Sequence, residues 1–176
     1  EINDSYNSNI YLKNVTNLDP NNTDAYISRI NTNFENKNWY EVIKDIDKLL
    51  AIDNTFSKYN QLYFKRGYAN SELNYNAEAF SDYTKEIKVN PSNSAAYNNR
   101  GVIYQNKSQY ELALAEYKKA VITSKNSDET SRGLYHNNTA LILRYLNRNK
   151  EACMVWKKGA DLGHIDCLNN LSAYCN

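Results

Sequence analysis

The fold is decided by the stretch YNNRG at residues 97–101, which repeats the pattern of YFKRG at residues 63–67 after 34 positions. The second halves of the two blocks keep this register, since Ala79 and Tyr83 align with Ala113 and Tyr117. Self-similarity at such a period is typical of stacked helical hairpins, because each hairpin can bury its apolar face only against the next one. The sequence therefore predicts an all-α helical-repeat protein.

Composition agrees with this interpretation and narrows the functional classes. Only 5 Gly and 2 Pro occur in 176 residues, too few for the many turns of a β-sandwich or barrel. Net charge is +1 and the basic residues are scattered, so no basic patch indicates nucleic acid. The longest apolar runs, such as LLAI at residues 49–52, are far shorter than the roughly 20 residues of a membrane span.

The repeated blocks resemble the tetratricopeptide repeat. In that family two antiparallel helices carry a bulky fourth residue, small eighth and twentieth residues, and aromatic eleventh and twenty-fourth residues. The block that begins at Ser94 supplies matching residues at the fourth, eighth, eleventh, twentieth, twenty-fourth and twenty-seventh positions: Tyr97, Gly101, Tyr104, Ala113, Tyr117 and Ala120. The resemblance implies a helical-repeat solenoid, an α–α superhelix of about four helix hairpins with a C-terminal capping helix.

Extending the register outward divides the chain into six segments. They are a helix from a severed repeat with its linker at 1–22, repeats at 23–59, 60–93, 94–127 and 128–163, and a capping helix at 164–176. In the cap, Ile165, Leu168 and Leu171 have helical spacing and are predicted to cover the last repeat. Because the chain begins inside a repeat and without Met, we expect it to derive from a longer one; a removed secretory signal and an artificially chosen start both explain this.

The resemblance implies that ligands bind a concave groove lined by the first helix of each repeat. Two Asn pairs occupy the fifth and sixth positions of successive repeats, Asn98 with Asn99 and Asn137 with Asn138. A carboxamide both donates and accepts, so it can bond a peptide backbone without reading its side chains. Asn at the sixth position also resembles the asparagine ladder of the O-linked N-acetylglucosamine transferase superhelix. The alternative is that the pairs reflect the heavy use of Asn throughout this chain.

Four further residues complete the predicted groove: Phe64, Lys65, Tyr68 and Arg144. Aromatic rings beside a few polar groups suit another protein or an extended peptide as the partner. The alternative for Tyr68 is that it only packs between adjacent repeats.

The carboxylate clamp, by which some relatives hold the acidic C-termini of chaperones, is not expected here. In the two possible frames its five positions hold Ile27, Asn31, Lys65, Ala95 and Asn99, or Phe64, Tyr68, Asn99, Leu134 and Asn138. Neither frame supplies the required set of cations.

The cysteines allow more than one interpretation. Cys153 and Cys175 each lie eleven residues from His164, where the chain must turn, so they could face each other at disulfide distance, and we predict a bond between them. The alternative is three buried thiols. The end of the chain also resembles the closing segment of repeat proteins from Bacteroidetes-type bacteria. A Cys153–Cys175 bond implies an oxidising compartment and favours an extracytoplasmic location over the cytoplasm. A zinc site is disfavoured, because paired C-x-x-C hooks are missing.

No catalytic motif occurs, so the sequence predicts a non-enzymatic scaffold without cofactor or metal. We expect the outer-helix carboxylates Asp45, Asp82 and Glu116 to be solvated. We expect the seventh-position residues Arg29, Arg66 and Arg100 to pair with acids of the neighbouring helix.

Three functions remain open. The first is an adaptor that binds peptides or proteins, the second is a structural subunit of a larger assembly, and the third is an RNA-binding helical array. The low net charge disfavours the third. The sequence leaves the oligomeric state undetermined.

Overall fold

The computed structural model describes residues 2–53 and 61–175, and their side chains from residue 10 onward. The helices are α1 (Ile2–Leu18), α2 (Thr23–Glu35), α3 (Trp39–Ile52), α4 (Leu62–Glu72), α5 (Asn76–Val89), α6 (Ser94–Asn106), α7 (Tyr110–Thr123), α8 (Glu129–Tyr145), α9 (Asn149–Ala160) and α10 (Ile165–Tyr174). A short 3₁₀ helix at Ser124–Asn126 follows α7, and the described residues form no strand. The predicted all-α helical-repeat fold is confirmed. The end of the predicted first repeat, residues 54–59, lies outside the described residues.

Among the described residues, successive helices form the pairs α2–α3, α4–α5, α6–α7 and α8–α9. Each pair is joined by a turn with one left-handed residue that is not glycine: Lys37, Asn74, Ser108 and Asn147, at φ values of 59°, 62°, 57° and 59°. The next residue then donates its N–H to a carbonyl five positions earlier, as in Asn38 to Asn33 at 2.8 Å and Gln109 to Tyr104 at 2.9 Å. This is the hydrogen bond of a Schellman motif, which satisfies a carbonyl at the end of the first helix.

Two compact units divide the chain, residues 1–82 and residues 83–176. The core of the first unit is formed by α2, α3 and α4 through Tyr26, Ile30, Val42, Ile46, Leu49, Leu62 and Ala69. The core of the second unit is formed by α7, α8, α9 and α10 through Ala113, Leu114, Tyr117, Ala140, Ile142, Leu143, Ala152, Trp156 and Cys167. Each unit therefore has its own buried apolar cluster.

The small eighth residue and the aromatic twenty-fourth residue of the repeat meet in the second unit. A Cβ atom on Gly101 would lie 2.8 Å from Cε1 of Tyr117, whose side chain is fully buried. Only a residue without a side chain lets α6 approach the Tyr117 ring this closely. The signature that the sequence displays is therefore a packing requirement.

The seventh-position arginines hold each repeat together. The guanidinium of Arg29 donates to Asp45 at 2.5 and 2.7 Å, that of Arg66 to Asp82 at 2.7 and 2.9 Å, and that of Arg100 to Glu116 at 2.8 and 3.0 Å. The expected pairing of Arg29, Arg66 and Arg100 with acids of the neighbouring helix is confirmed. In each case the third nitrogen, Nη1, reaches the second helix of the preceding repeat, at Thr16, Asp47 or Thr84.

The expectation of solvated carboxylates at Asp45, Asp82 and Glu116 is wrong. Asp45 and Asp82 are buried, with side chains 1% and 4% exposed, and Glu116 is 15% exposed. The reason is the length of arginine, whose guanidinium passes beside the core and draws the acid inward.

The capping helix α10 uses a different face from the predicted one. Ile165 and Leu168 are 70% and 48% exposed, whereas Cys167 is fully buried and Leu171 packs against the core. Gly159 permits this, since a Cβ atom there would lie 2.3 Å from Sγ of Cys167. The side chain of Cys167 therefore covers the last repeat, and its thiol packs against Gly159.

Candidate functional site

In the second unit, three of the four predicted groove asparagines form a continuous chain of amide hydrogen bonds. Asn138 on α8 donates to Oδ1 of Asn98 on α6 at 2.8 Å. Asn98 donates in turn to Oδ1 of Asn99 at 3.2 Å, and Asn99 donates to the hydroxyl of Tyr83 on α5 at 3.3 Å. The amides therefore tie first helices of successive repeats to each other.

Asn137 has a structural role of its own. It is buried, and its Oδ1 accepts hydrogen bonds from Nε1 of Trp156 and from Nδ2 of Asn170, both at 3.0 Å. Trp156 is fully buried, and its indole N–H needs a partner there. Asn137 thus satisfies the core tryptophan and also holds the capping helix.

These contacts revise the predicted ladder of free carboxamides. Asn98 and Asn137 are buried and engaged internally, Asn98 with the first helix of the next repeat and Asn137 with Trp156 and the capping helix. Asn99 and Asn138 are partly exposed. Only these two can present a polar edge to a ligand.

Arg144 lies with the capping helix. Its guanidinium carbon is 3.8 Å from the centroid of the Tyr174 ring, and Tyr174 stacks on Trp156 at 5.8 Å. Arg144 is therefore part of the contact between α8 and α10.

Next to this stack, a disulfide joins Cys153 to Cys175, the pair that the sequence predicts to bond, with Cα atoms 5.6 Å apart. Cys167 is a free, buried thiol.

In the first unit, a set of aromatic rings lines a solvent-open pocket of about 490 Å³. We call it the aromatic pocket; its lining residues are Phe34, Glu35, Lys37, Trp39, Phe64, Tyr68 and Glu72. The sequence predicts two of these, Phe64 and Tyr68, as groove residues, and the structure brings them together.

The rings of the aromatic pocket contact each other at close range. Phe34 and Trp39 are 5.4 Å apart between centroids, and each is 5.5 Å from Tyr68. Phe64 lies one helical turn before Tyr68 on α4, at 6.3 Å. The predicted packing role of Tyr68 and its predicted groove role are thus compatible, because the ring packs on Trp39 and also lines the pocket.

Sequence reasoning missed Phe34 and Trp39. The end of α2 and the start of α3 carry them on either side of the left-handed turn at Lys37. This turn folds α3 back on α2, so that the two rings meet edge to face. A signal existed in the sequence, namely aromatic residues flanking a polar ENKN turn at residues 35–38.

Lys65 lies beside this cluster. Its Nζ donates to Oδ1 of Asn31 and is 5.7 Å from the centroid of Phe34. Burial lowers the pKa of Lys65, and the negative charge of Glu35 opposes that shift. The pKa of Tyr68 is raised by burial and by the negative charge of Glu72. Lys65 and Tyr68 are therefore both held in place by neighbours.

The described residues contain neither a candidate membrane span nor a candidate metal-binding cluster. None of the helices described is both long and apolar enough to cross a membrane. Within residues 2–53 and 61–175, no group of three or more His, Cys, Asp or Glu residues is placed to hold a metal ion.

Comparison with known proteins identifies relatives of part or all of the chain. Residues 82–115 match a family model described as tetratricopeptide repeat. The DnaJ homolog subfamily C member 7 homolog of Dictyostelium discoideum is 30% identical over 105 residues, which is 59% of this chain. The match spans only 20% of that relative's length.

Several solved structures are similar along most of the chain. MamA from Desulfovibrio magneticus RS-1 has a TM-score of 0.76 at 16% identity, covering 90% of this chain and 85% of that one. YrrB, described as a TPR protein with an unusual peptide-binding site, has a TM-score of 0.74 at 15% identity, with 96% and 84% covered. The C-terminal part of a TPR repeat-containing protein from Cytophaga hutchinsonii has a TM-score of 0.75 at 14% identity, with 91% and 60% covered.

Proposed function

Because this chain has the tetratricopeptide-repeat fold, a fold typical of non-catalytic scaffolds for protein interaction, we propose that it binds an extended peptide on the exposed sides of its first helices. The observation that carries the proposal is the aromatic pocket, where α2, α3 and α4 leave ring surfaces open to solvent. Partly buried aromatic surface in a concave site is the usual source of affinity for a peptide.

The polar edge of the second unit offers a separate way to hold a peptide backbone. Asn99 and Asn138 are partly exposed and belong to a chain of hydrogen bonds that fixes their orientation. A fixed amide loses little conformational entropy when it binds a backbone group, although each such bond adds only about 1 kcal/mol. YrrB, which shares the fold, is described as having a peptide-binding site, and this supports peptide binding as the function proposed here.

The test is selection of peptides from a random dodecamer phage library on the immobilised oxidised protein, followed by calorimetric titration of the selected sequences. We expect Phe64→Ala with Tyr68→Ala to weaken binding at least tenfold, since both rings line the pocket. The matched control is Tyr40→Ala, which removes a 70% exposed ring on α3 outside the aromatic pocket. Failure to enrich any peptide, or equal loss in the control, refutes the proposal.

A separate variant tests the amide edge. The double substitution Asn99→Ala with Asn138→Ala should weaken the binding of those selected peptides that contact the second unit. Thermal unfolding of the double variant, measured in parallel, separates a loss of binding from a loss of the internal amide chain.

One observation favours a second function, that of a structural subunit. The capping helix exposes Ile165 and Leu168, which are 70% and 48% accessible. Apolar side chains of this size suit stacking on another chain. Sedimentation of the wild type against Ile165→Ser with Leu168→Ser tests this, because a concentration-dependent oligomer that the substitutions abolish would support assembly.

A further inference from the structure

The aromatic pocket has the electrostatics of a site for a cation. Aromatic rings carry negative potential on their faces, and Phe34, Trp39 and Tyr68 line the pocket with their ring centroids only 5.4–5.5 Å apart. A guanidinium or ammonium group within about 6 Å of a ring centroid is attracted to it.

The protein itself provides an example of this attraction. The ammonium of Lys65 lies 5.7 Å from the Phe34 centroid, although burial disfavours its charged form. Lys65 is also bonded to Asn31 and does not line the aromatic pocket. The ring cluster thus accommodates one positive charge on its outer side.

The rim of the pocket adds negative charge. Its lining includes two carboxylates, Glu35 and Glu72, and one cation, Lys37; Glu35 also interacts with the charge of Lys65, which lies outside the lining. No salt bridge involves Glu35 or Glu72 in the part of the chain that the structure describes. Tyr68 and Glu72 both line the pocket, and the negative charge of Glu72 raises the pKa of the Tyr68 hydroxyl, so this carboxylate lies near the ring.

These features discriminate between the side chains that a bound peptide could insert. An acidic side chain would meet two like charges, and an aliphatic one would cover the carboxylates without giving them a partner. A guanidinium stacks its plane on a ring while its N–H groups reach a carboxylate in the same plane, which an ammonium does less well.

We infer that the aromatic pocket binds a basic side chain, preferentially arginine, of the peptide that the scaffold holds. This inference rests on the proposed function and adds the chemistry of the residue recognised. The arginine would lie between the rings of Trp39 and Tyr68 and the carboxylates of Glu35 and Glu72.

The experiment uses three blocked heptapeptides of sequence Gly-Ser-Gly-X-Gly-Ser-Gly, in which X is arginine, citrulline or glutamate. Citrulline has the shape of arginine without its charge. Binding is followed by the fluorescence of Trp39, since the other tryptophan, Trp156, is fully buried. We expect the arginine peptide to bind at least tenfold more tightly than the citrulline peptide, and the glutamate peptide to give no saturable signal.

Charge-neutral variants test the role of the rim. Glu72→Gln should weaken binding of the arginine peptide about fivefold and leave binding of the citrulline peptide unchanged. The matched control is Glu78→Gln, an exposed acid at the start of α5 that does not line the pocket. Both substitutions are on exposed side chains, so folding is preserved, and circular dichroism verifies it.

Equal binding of the arginine and citrulline peptides, or equal effects of Glu72→Gln and Glu78→Gln, overturns the inference. The phage selection separates this failure from that of the proposed function. If selected peptides lack basic residues yet lose affinity in the Phe64→Ala, Tyr68→Ala protein, the peptide-binding function stands and the arginine preference falls. If no peptide is selected and the arginine peptide does not bind, both fall.

Discussion

Removal of the Cys153–Cys175 disulfide, by Cys153→Ala with Cys175→Ala, should destabilise the protein measurably. The two cysteines are 22 residues apart in sequence, and closing a loop of this length lowers the entropy of the unfolded chain by an amount worth about 3 kcal/mol. The folded protein retains other contacts of α10, namely the buried Cys167 and the hydrogen bond from Asn170 to Asn137. We therefore expect α10 to remain docked in the reduced native state.

The assay is urea unfolding followed by circular dichroism, for the wild type with and without dithiothreitol and for the double variant. Reduction should shift the midpoint of the wild type downward to that of the variant, and the variant should not respond to dithiothreitol. Thiol counting provides a direct check, because the unfolded, unreduced wild type should expose one alkylatable thiol, that of Cys167. Three alkylatable thiols, or an unchanged midpoint on reduction, would refute the reasoning.

Three further predictions follow from the packing. Asp45→Ala should cost about 3 kcal/mol in urea unfolding, because the guanidinium of Arg29 then lies largely buried without its partner. Gly101→Ala should lower the free energy of unfolding by about 1–2 kcal/mol, because its new Cβ meets the buried Tyr117 ring at 2.8 Å. His136→Gln should reduce the loss of stability between pH 7.5 and 5.5: burial and nearby positive charges lower the folded-state pKa of His136, so the unfolded chain takes up the proton first as the pH falls.

Each of these has a control or a contradicting result. Glu41→Ala breaks an exposed ion pair with Lys44 at 3.6 Å and should cost at most about 0.5 kcal/mol, so an effect equal to that of Asp45→Ala would refute the burial argument. Gly101→Ala favours the helix itself by about 1 kcal/mol, and a net stabilisation would show that the ring moves aside. For His136, stability lost below pH 6.5 in equal amounts by variant and wild type contradicts the assignment.

The repeat register predicted much of what the structure contains. It predicted the all-α helical repeat and the ion pairs of Arg29, Arg66 and Arg100, and it marked Gly101 and Tyr117 as residues of the repeat signature. Such features repeat at a fixed spacing because successive hairpins solve the same packing problem, so a single sequence displays them several times. Cys153 and Cys175 were predicted as a pair for a related reason, since the antiparallel geometry of two helices fixes which residues face each other.

The contacts that side chains make with other helices could not be predicted in this way. Asn98 and Asn137 have the composition of ligand-binding groups, but whether an amide is free depends on the donors and acceptors that other helices bring to it. The burial of Asp45 depends on the reach of Arg29, and the face used by α10 depends on the space that Gly159 leaves for Cys167.

By itself, the sequence determined the all-α repeat, its register and the residues that every repeat needs, because periodic packing leaves a periodic record. Only the tertiary structure decided which polar groups are already bonded and that Phe34 and Trp39 join Phe64 and Tyr68 around one pocket. That choice rests on side-chain directions on three helices: a left-handed turn at Lys37 brings Phe34 and Trp39 together, and α4 adds Phe64 and Tyr68 from a later part of the chain.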